Sequence, residues 1–180
     1  MMYDKKLWEE CIKFHGHGCS GLAIGFKAAL AGMKKLGLGL ENRDIDEELL
    51  CVAENDACGV DSIQWITGCT LGKGNMIIRL TGKPAWSFYD RKTGNSVRVV
   101  RRSDTWFANE EENLVEKILN SSDEELFDFK EVKAYTPEKA RIFESALCTV
   151  CGEYAREDLL RMHNGKLECL DCFNEYDRNW

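Results

Sequence analysis

The chain has 180 residues, enough for one proper core and a small appended module. With 44% hydrophobic and 31% charged residues and no apolar run near the roughly 18 residues that a membrane span requires, it reads as a soluble globular protein. A net charge of -7 and an isoelectric point near 5.1 argue against nonspecific attraction to nucleic acid, with Arg98, Arg101 and Arg102 the one local run able to form a basic patch.

The N-terminal stretch lacks the long apolar segment and small-residue cleavage site of a signal peptide, and nine cysteines without one point to the reducing cytoplasm. Asp4 is placed to cap a first helix whose apolar positions Leu7, Trp8, Cys11 and Phe14 fall at helical spacing. A second helix is predicted over 20–36, with a large stripe (Leu22, Phe26, Ala29, Leu30, Met33) and a small one (Gly21, Gly25, Ala28, Gly32) that would let another backbone approach closely. Residues 48–55 read as a buried strand and 58–67 as a helix ending at Gly68. Runs at 76–80, 86–90 and 96–101 are joined by Thr81-Gly82-Lys83-Pro84 and Lys92-Thr93-Gly94-Asn95, and the turn chemistry predicts an antiparallel meander. A helix over 110–119, a strand over 129–135 and a helix start at Thr136-Pro137-Glu138-Lys139 follow. The expected fold is α+β, an antiparallel sheet packed with helices plus a small four-cysteine zinc-ribbon module. The domain plan is a core over 1–135, a linker over 136–147 and a ribbon over 148–180.

Cys148-x2-Cys151 and Cys169-x2-Cys172 are separated by 17 residues, the spacing of a four-thiolate zinc ribbon. Four thiolates leave no open coordination position, so the zinc expected here is structural. An Asn164-Gly165 turn lets a hairpin carry the second pair back to the first, and a surface role is assigned to His163 near its tip.

The stretch FHGHGCSG places His15, His17 and Cys19 at alternate positions ahead of a helix, where an extended or glycine-relieved chain brings imidazole and thiol together. Cys19 would lie at a helix N-terminus, where free N–H groups and the dipole favour thiolate. On the helix over 58–67, Val60, Ile63 and Ile66 fall on one side and Cys58, Asp61, Ser62 and Trp65 on the other. Cys58 at its first turn is placed for a lowered pKa, and Asp61 is placed to orient a ligand or shuttle a proton. Cys11 and Cys51 are expected to be small core residues. The loop Gly68 to Asn75 fails as a strict phosphate loop, since no Ser or Thr follows Lys73 and a helix precedes it; a looser anion-binding turn using Thr70 and Lys73, or a plain connection, stays open.

FHGHGCSG, CGVDSIQWITGCTLGKGN and the terminal CxxC pairs together resemble the formylmethanofuran dehydrogenase E-subunit family. The similarity covers a core at about 10–135 and an optional zinc-ribbon tail at about 145–175, with Ser20 where the family often has proline. The resemblance implies an α+β homodimer with a cleft formed by His15, His17, Cys19, Cys58, Asp61, Gln64 and Cys69. It also implies association with a molybdenum or tungsten enzyme that reduces carbon dioxide to a formyl group on methanofuran. Many similar proteins occur in organisms that make no methane.

The leading expectation is a metal-binding protein of one-carbon or redox metabolism. Zinc sits in the tail and a second divalent metal or a reactive thiolate in the core, drawn from His15, His17, Cys19 and Cys58, with Asp61 and Gln64 beside it. Whether it is itself an enzyme stays open against two alternatives. One is a non-catalytic accessory or regulatory component of a larger complex whose ribbon binds a protein or nucleic acid; the other is a thiol redox protein using Cys19 and Cys58.

Overall fold

Asp4 opens the first helix: its backbone is extended and its carboxylate accepts from the Leu7 N–H at 3.1 Å. This helix, α1, spans Lys5–His15 and ends on Gly16, whose φ of +100° suits glycine alone. α2 (Ser20–Lys35), β1 (Leu49–Ala53) and α3 (Gly59–Thr67) follow. Next come β2 (Met76–Ile78), β3 (Ala85–Asp90) and β4 (Ser96–Arg101), then α4 (Leu114–Asn120), α5 (Asp123–Leu126) and β5 (Phe127–Lys130). All lie in one of the chain's two units, Met1–Ala140; the other is Arg141–Trp180. The computed structural model describes residues 3–104, 113–133 and 136–176. The predicted helix start at Glu110 and strand end at Tyr135 fall outside the described residues, and the strand expected over 129–135 is corrected to Phe127–Lys130, since 131–133 are not strand.

The sheet runs β2-β1-β3-β4-β5. β1–β3, β3–β4 and β4–β5 are antiparallel, and β1–β2 is parallel, with Cys51 opposite Met76. The fold is thus the mixed α+β with a mostly antiparallel sheet that the sequence suggests, but the expected meander is corrected at β2. Because α3 lies between β1 and β2, the chain makes a β-α-β crossover and returns beside β1 as a parallel neighbour. The turn at Thr81 to Pro84 then carries it across to β3 on the other side of β1. Alternation directs Leu49, Cys51, Ala53, Trp86, Phe88, Val97 and Val99 into the core under the helices, and Leu50, Val52 and Tyr89 into a small cluster on the opposite face. It also separates Arg98 from Arg101, so the basic run does not make a single patch. Arg98 pairs with Glu54, Nη2 to Oε2 at 2.9 Å, and Arg102 pairs with Asp104.

The small stripe of α2 does receive another backbone. A Cβ at Gly25 would overlap the Gly59 carbonyl, and one at Gly59 would sit 3.0 Å from the Gly21 oxygen and 3.1 Å from the Gly25 Cα. Two turns further on, Gly32 lies against the Phe88 ring. Ser62, predicted on the polar side of α3, is buried instead and donates to the Leu22 carbonyl at 2.8 Å, which ties the two helices together.

The Gly68–Asn75 loop is a clasp on Asp44. That carboxylate accepts from the Leu49 N–H at 2.8 Å, the Glu47 N–H at 2.9 Å, Lys73 Nζ at 2.8 Å and Asn75 Nδ2 at 2.8 Å. Burial alone would raise the Asp44 pKa, but these donors outweigh it and hold the group below its ordinary value. Lys73 is thereby committed and the Thr70 hydroxyl accepts from the Lys73 N–H, so the anion-binding reading of this loop gives way to an internal one. The expected helix start at Thr136 is also corrected: among the described residues 136–144 form no helix. There Lys139 bonds Glu48 at 3.0 Å and the Ala140 N–H bonds Glu47 at 3.0 Å, so the acidic loop before β1 holds these two residues.

In the Arg141–Trp180 unit, β6 (Ser145–Leu147) pairs with β7 (Tyr154–Arg156), and β8 (Arg161–His163) with β9 (Lys166–Glu168). Asn164 and Gly165, at φ +49° and +77°, close the second hairpin as their dipeptide predicts.

Two outcomes are expected. Gly25→Ala lowers unfolding free energy by about 3 kcal/mol or more, because neither backbone can yield, and urea unfolding followed by tryptophan fluorescence measures it. Asp44→Asn costs about 2 to 4 kcal/mol at neutral pH. Since the folded carboxylate is depressed, its contribution is present above the unfolded value and is lost on acidification; the gap between wild type and variant therefore holds to about pH 5 and closes below about pH 4.

Candidate functional site

Two side-chain clusters among the described residues have the composition and closeness to hold an ion. The first is built by the break between α1 and α2. His15 is the last residue of α1, Gly16 turns the chain through the left-handed region, and Cys19 is the N-cap of α2. The result is that donor atoms of His15, His17 and Cys19 all lie within 4.8 Å of one another, with the two imidazole centroids 4.7 Å apart. His17 is exposed, whereas His15 and Cys19 are partly buried.

α3 orients the first histidine. Asp61 Oδ2 lies 2.7 Å from His15 Nδ1, and Asp61 Oδ1 lies 3.5 Å from Gln64 Nε2. With Nδ1 donating to the carboxylate, His15 Nε2 is left as a bare lone pair, and that atom is buried with no hydrogen-bond partner. A buried acceptor without a donor calls for an explanation, and a cation supplies one. Two imidazoles and a thiolate suit a borderline divalent ion such as zinc, and three protein donors leave a coordination position open. The residues present therefore fit a metal.

The remaining predicted residues take different places. Cys19 Sγ accepts from the Leu22 N–H at 3.3 Å, which places this sulfur at the N-terminus of α2. Cys58 stands beside it: a Cβ built on Gly21 would lie 3.8 Å from Cys58 Sγ and 3.9 Å from Cys19 Sγ. Cys58 lies outside the three-residue cluster, and its expected lowered pKa is corrected. Burial, the neighbouring Cys19 thiol and Asp61 push it up, and its side chain caps no N–H of α3. Gln64 is engaged at both ends, since its Oε1 accepts from the Leu71 N–H at 3.2 Å. Cys69, carried into the cleft by resemblance, is fully buried near β1, donates to the Leu49 carbonyl at 3.4 Å, and is pushed up to about 12 by burial. Cys11 and Cys51 are core residues.

Sequence reasoning did not find the aromatic contact between α1 and α3. Phe14 packs on Trp65 with centroids 5.6 Å apart, and the Arg43 guanidinium covers the Trp65 ring at 4.9 Å. Phe14 and Trp65 each sit next in sequence to a motif residue, but nothing local pairs them.

The second cluster is Cys148, Cys151, Cys169 and Cys172. Gly152, at φ +76°, turns the first knuckle, and its N–H bonds the Cys148 carbonyl. The Cys172 N–H bonds the Cys169 carbonyl in the second knuckle, and Cys151 and Cys169 sulfurs are 4.0 Å apart. Backbone N–H groups of Cys151 and Cys169 draw the Cys148 thiol down to about 6, while hydrogen bonding to Cys169 is the main cause that holds Cys172 up at about 12. Four crowded thiols that share protons in this way gain from a cation, and the geometry is compatible with a zinc ribbon. His163 stays outside the cluster and bonds Glu168 at 3.2 Å.

Comparison with known proteins places the chain in a family. The family described as "FmdE, Molybdenum formylmethanofuran dehydrogenase operon" matches residues 14–128. A curated relative from Archaeoglobus fulgidus, named "Probable S-adenosyl-L-methionine-binding protein", is 29% identical over 192 aligned positions covering 91% of this chain. The chain spans about half (51%) of that relative's length. A crystal structure of a tungsten formylmethanofuran dehydrogenase FmdE-like protein from Syntrophus aciditrophicus superposes with a TM-score of 0.68 at 25% identity, covering 92% of this chain and 91% of the other. The family match takes in α2, β1 to β4 and every residue of the His/Cys cluster, and the chain belongs to the FmdE family.

Proposed function

We propose that this chain holds a divalent ion at His15, His17 and Cys19, uses it in one-carbon or redox chemistry, and carries a structural zinc at its four tail cysteines. The observation that supports the core site most is the buried, unpartnered Nε2 of His15, a ring whose other nitrogen is already committed to Asp61. A carboxylate behind a ligating imidazole sets the tautomer, turns the ring and raises its basicity. Bound there with an open position, the ion would supply Lewis-acid polarisation of a carbonyl-type oxygen.

The chain's own residues have separate tasks in this reading. His15 binds and is oriented by Asp61, and Gln64 braces Asp61 from the next turn of α3. Cys19 binds with its sulfur held towards the N–H groups of α2. Cys58, adjacent to Cys19, completes the donor set or faces what the ion binds.

A second reading, an accessory protein that holds a partner through its tail, draws on exposed apolar side chains there. Val150 is 59% exposed, Met162 67% and Tyr154 76%. The operon named in the family description accords with service in a larger complex, and a homodimer remains part of the proposal through family resemblance.

Metal analysis of full-length protein prepared with zinc and without chelator is expected to find two ions per chain, one for each cluster. His15→Ala should retain only the tail ion, and Cys169→Ser only the core ion. Asp61→Asn should weaken the core site by about 10- to 100-fold with the tail unchanged. Retention of both ions in His15→Ala would overturn the core assignment; partner loss with an unaltered metal count would favour the accessory reading.

A further inference from the structure

The face of the sheet turned away from the helices holds a hollow of about 740 Å3, within the range of about 300 to 1,000 Å3 usual for small-molecule sites. Strand register builds its floor. Ile77 lies opposite Val52, Val52 opposite Ser87, Ser87 opposite Arg98 and Arg98 opposite Lys130, so one row of side chains crosses all five strands on this face. All five residues line the hollow. Its walls are two connections: Arg79, Thr81 and Lys83 come from the stretch between β2 and β3, and Val132, Lys133 and Pro137 from the chain after β5. Every one of these residues belongs to the Met1–Ala140 unit.

Charge there is the reverse of the chain's net -7. Among the described residues, five cations and two carboxylates line the hollow. One of each is committed internally, since Arg98 Nη2 meets Glu54 Oε2 at 2.9 Å and the Thr81 hydroxyl donates to the same carboxylate at 3.1 Å. That leaves Arg79, Lys83, Lys130 and Lys133 against Glu131 alone. All four cations are exposed, and among the described residues none of their side chains has a hydrogen-bond or ion-pair partner. Like charges gathered in this way repel one another, and an anion among them relieves the repulsion. The floor between them is apolar. Val52, Tyr89, Ile77 and Val132 belong to one cluster, and Pro137 stands in the wall. Three of the four floor residues are β-branched, which gives a stiff, level surface.

We infer that this hollow binds a nucleotide, a nucleoside mono- or diphosphate, with its phosphate charge balanced by Arg79, Lys83, Lys130 and Lys133 and its flat base laid over Val52, Ile77 and Val132. Four free cations less one carboxylate leave three positive charges, which suit the roughly two to three negative charges of such a phosphate at neutral pH. At a water's share of roughly 30 Å3, the space holds about 25 non-hydrogen atoms, the size of such a nucleotide. A bare phosphate would leave the apolar floor uncovered, and a neutral ring compound would leave the cations unpaired. Binding here goes beyond the metal reading and does not depend on it, because no residue of the His/Cys cluster lines the hollow.

The test is calorimetric titration of full-length protein with ADP, adenosine, inorganic pyrophosphate and a short oligothymidylate, without added divalent cation. ADP is expected to bind saturably at one site per chain, with adenosine and pyrophosphate each weaker by about tenfold or more. Arg79→Ala and Lys133→Ala should each weaken ADP about two- to fivefold, the scale of an exposed charge contact, and Lys130→Glu, which reverses a charge, about tenfold. All three positions are exposed, so the variants keep the fold. Lys92→Ala, at an exposed cation outside the hollow, should leave ADP binding unchanged, and so should His15→Ala. No binding of ADP up to about 10 mM overturns the inference. So does binding indifferent to Arg79→Ala, Lys133→Ala and Lys130→Glu. Pyrophosphate that binds as well as ADP removes the nucleoside, adenosine that binds as well removes the phosphate, and either result overturns the assignment. Oligothymidylate that binds more tightly than ADP, with the same dependence on the three cations, replaces the nucleotide by a nucleic-acid strand. ADP binding that is lost in His15→Ala but ignores the hollow's variants also overturns it and leaves the metal site standing. Hollow-dependent binding in protein whose core holds no ion upholds the nucleotide site and removes the metal reading.

Discussion

The close approach of α2 and α3 is the constraint on which the candidate site depends. Gly25 and Gly59 meet without side chains between them, and the Ser62 hydroxyl locks the same pair to the Leu22 carbonyl. Two helix N-termini that start about forty residues apart in sequence are thereby brought side by side, Cys19 ahead of one and Cys58 ahead of the other. Any side chain at the contact would separate them by the width of a methyl group and move Asp61 away from His15. The glycines are thus as much a part of the site as the residues with donor atoms, although they bind nothing.

Around that contact, α3 does three jobs with three faces. Ile63 and Ile66 enter the core, Ser62 grips α2, and Asp61 with Gln64 reaches the α1–α2 break. The Asp44 clasp follows α3 directly, and its donors include Lys73 and Asn75 from the loop that leads to β2. The segment from Cys58 to Asn75 therefore reads as one motif with two physical purposes: its first half orients a histidine, and its second half satisfies a buried carboxylate. A string of conspicuous glycines and a lysine is in this case internal scaffolding.

How much was legible in advance follows from how local each cause is. The caps at Asp4 and Gly16, the helix ending at Gly68, the Asn164-Gly165 hairpin and the close placement of His15, His17 and Cys19 all depend on neighbours within a turn or two. The two CxxC knuckles come together as their spacing implies. The parallel pairing of β2 with β1, the burial of Ser62 and Cys69 and the upward push on the Cys58 thiol were not legible, because each is set by a partner twenty or more residues away. The run Arg98, Arg101, Arg102 shows the difference most simply: pleating sends Arg98 to one face and Arg101 to the other, so charges adjacent in sequence have separate surroundings.

Sequence by itself therefore determined the first three helices and their stops, the α+β class, the gathering of His15, His17 and Cys19 and of the four tail cysteines, and the family to which the chain belongs. These are matters of spacing, backbone permissiveness and residue chemistry, which act over short distances. Tertiary structure alone decided which carboxylate stands behind His15, which glycines must stay bare, and that Lys73 is already occupied. Those outcomes are pairings between distant elements. Their energies arise only when the core closes and water is excluded, so no stretch of the chain carries them alone.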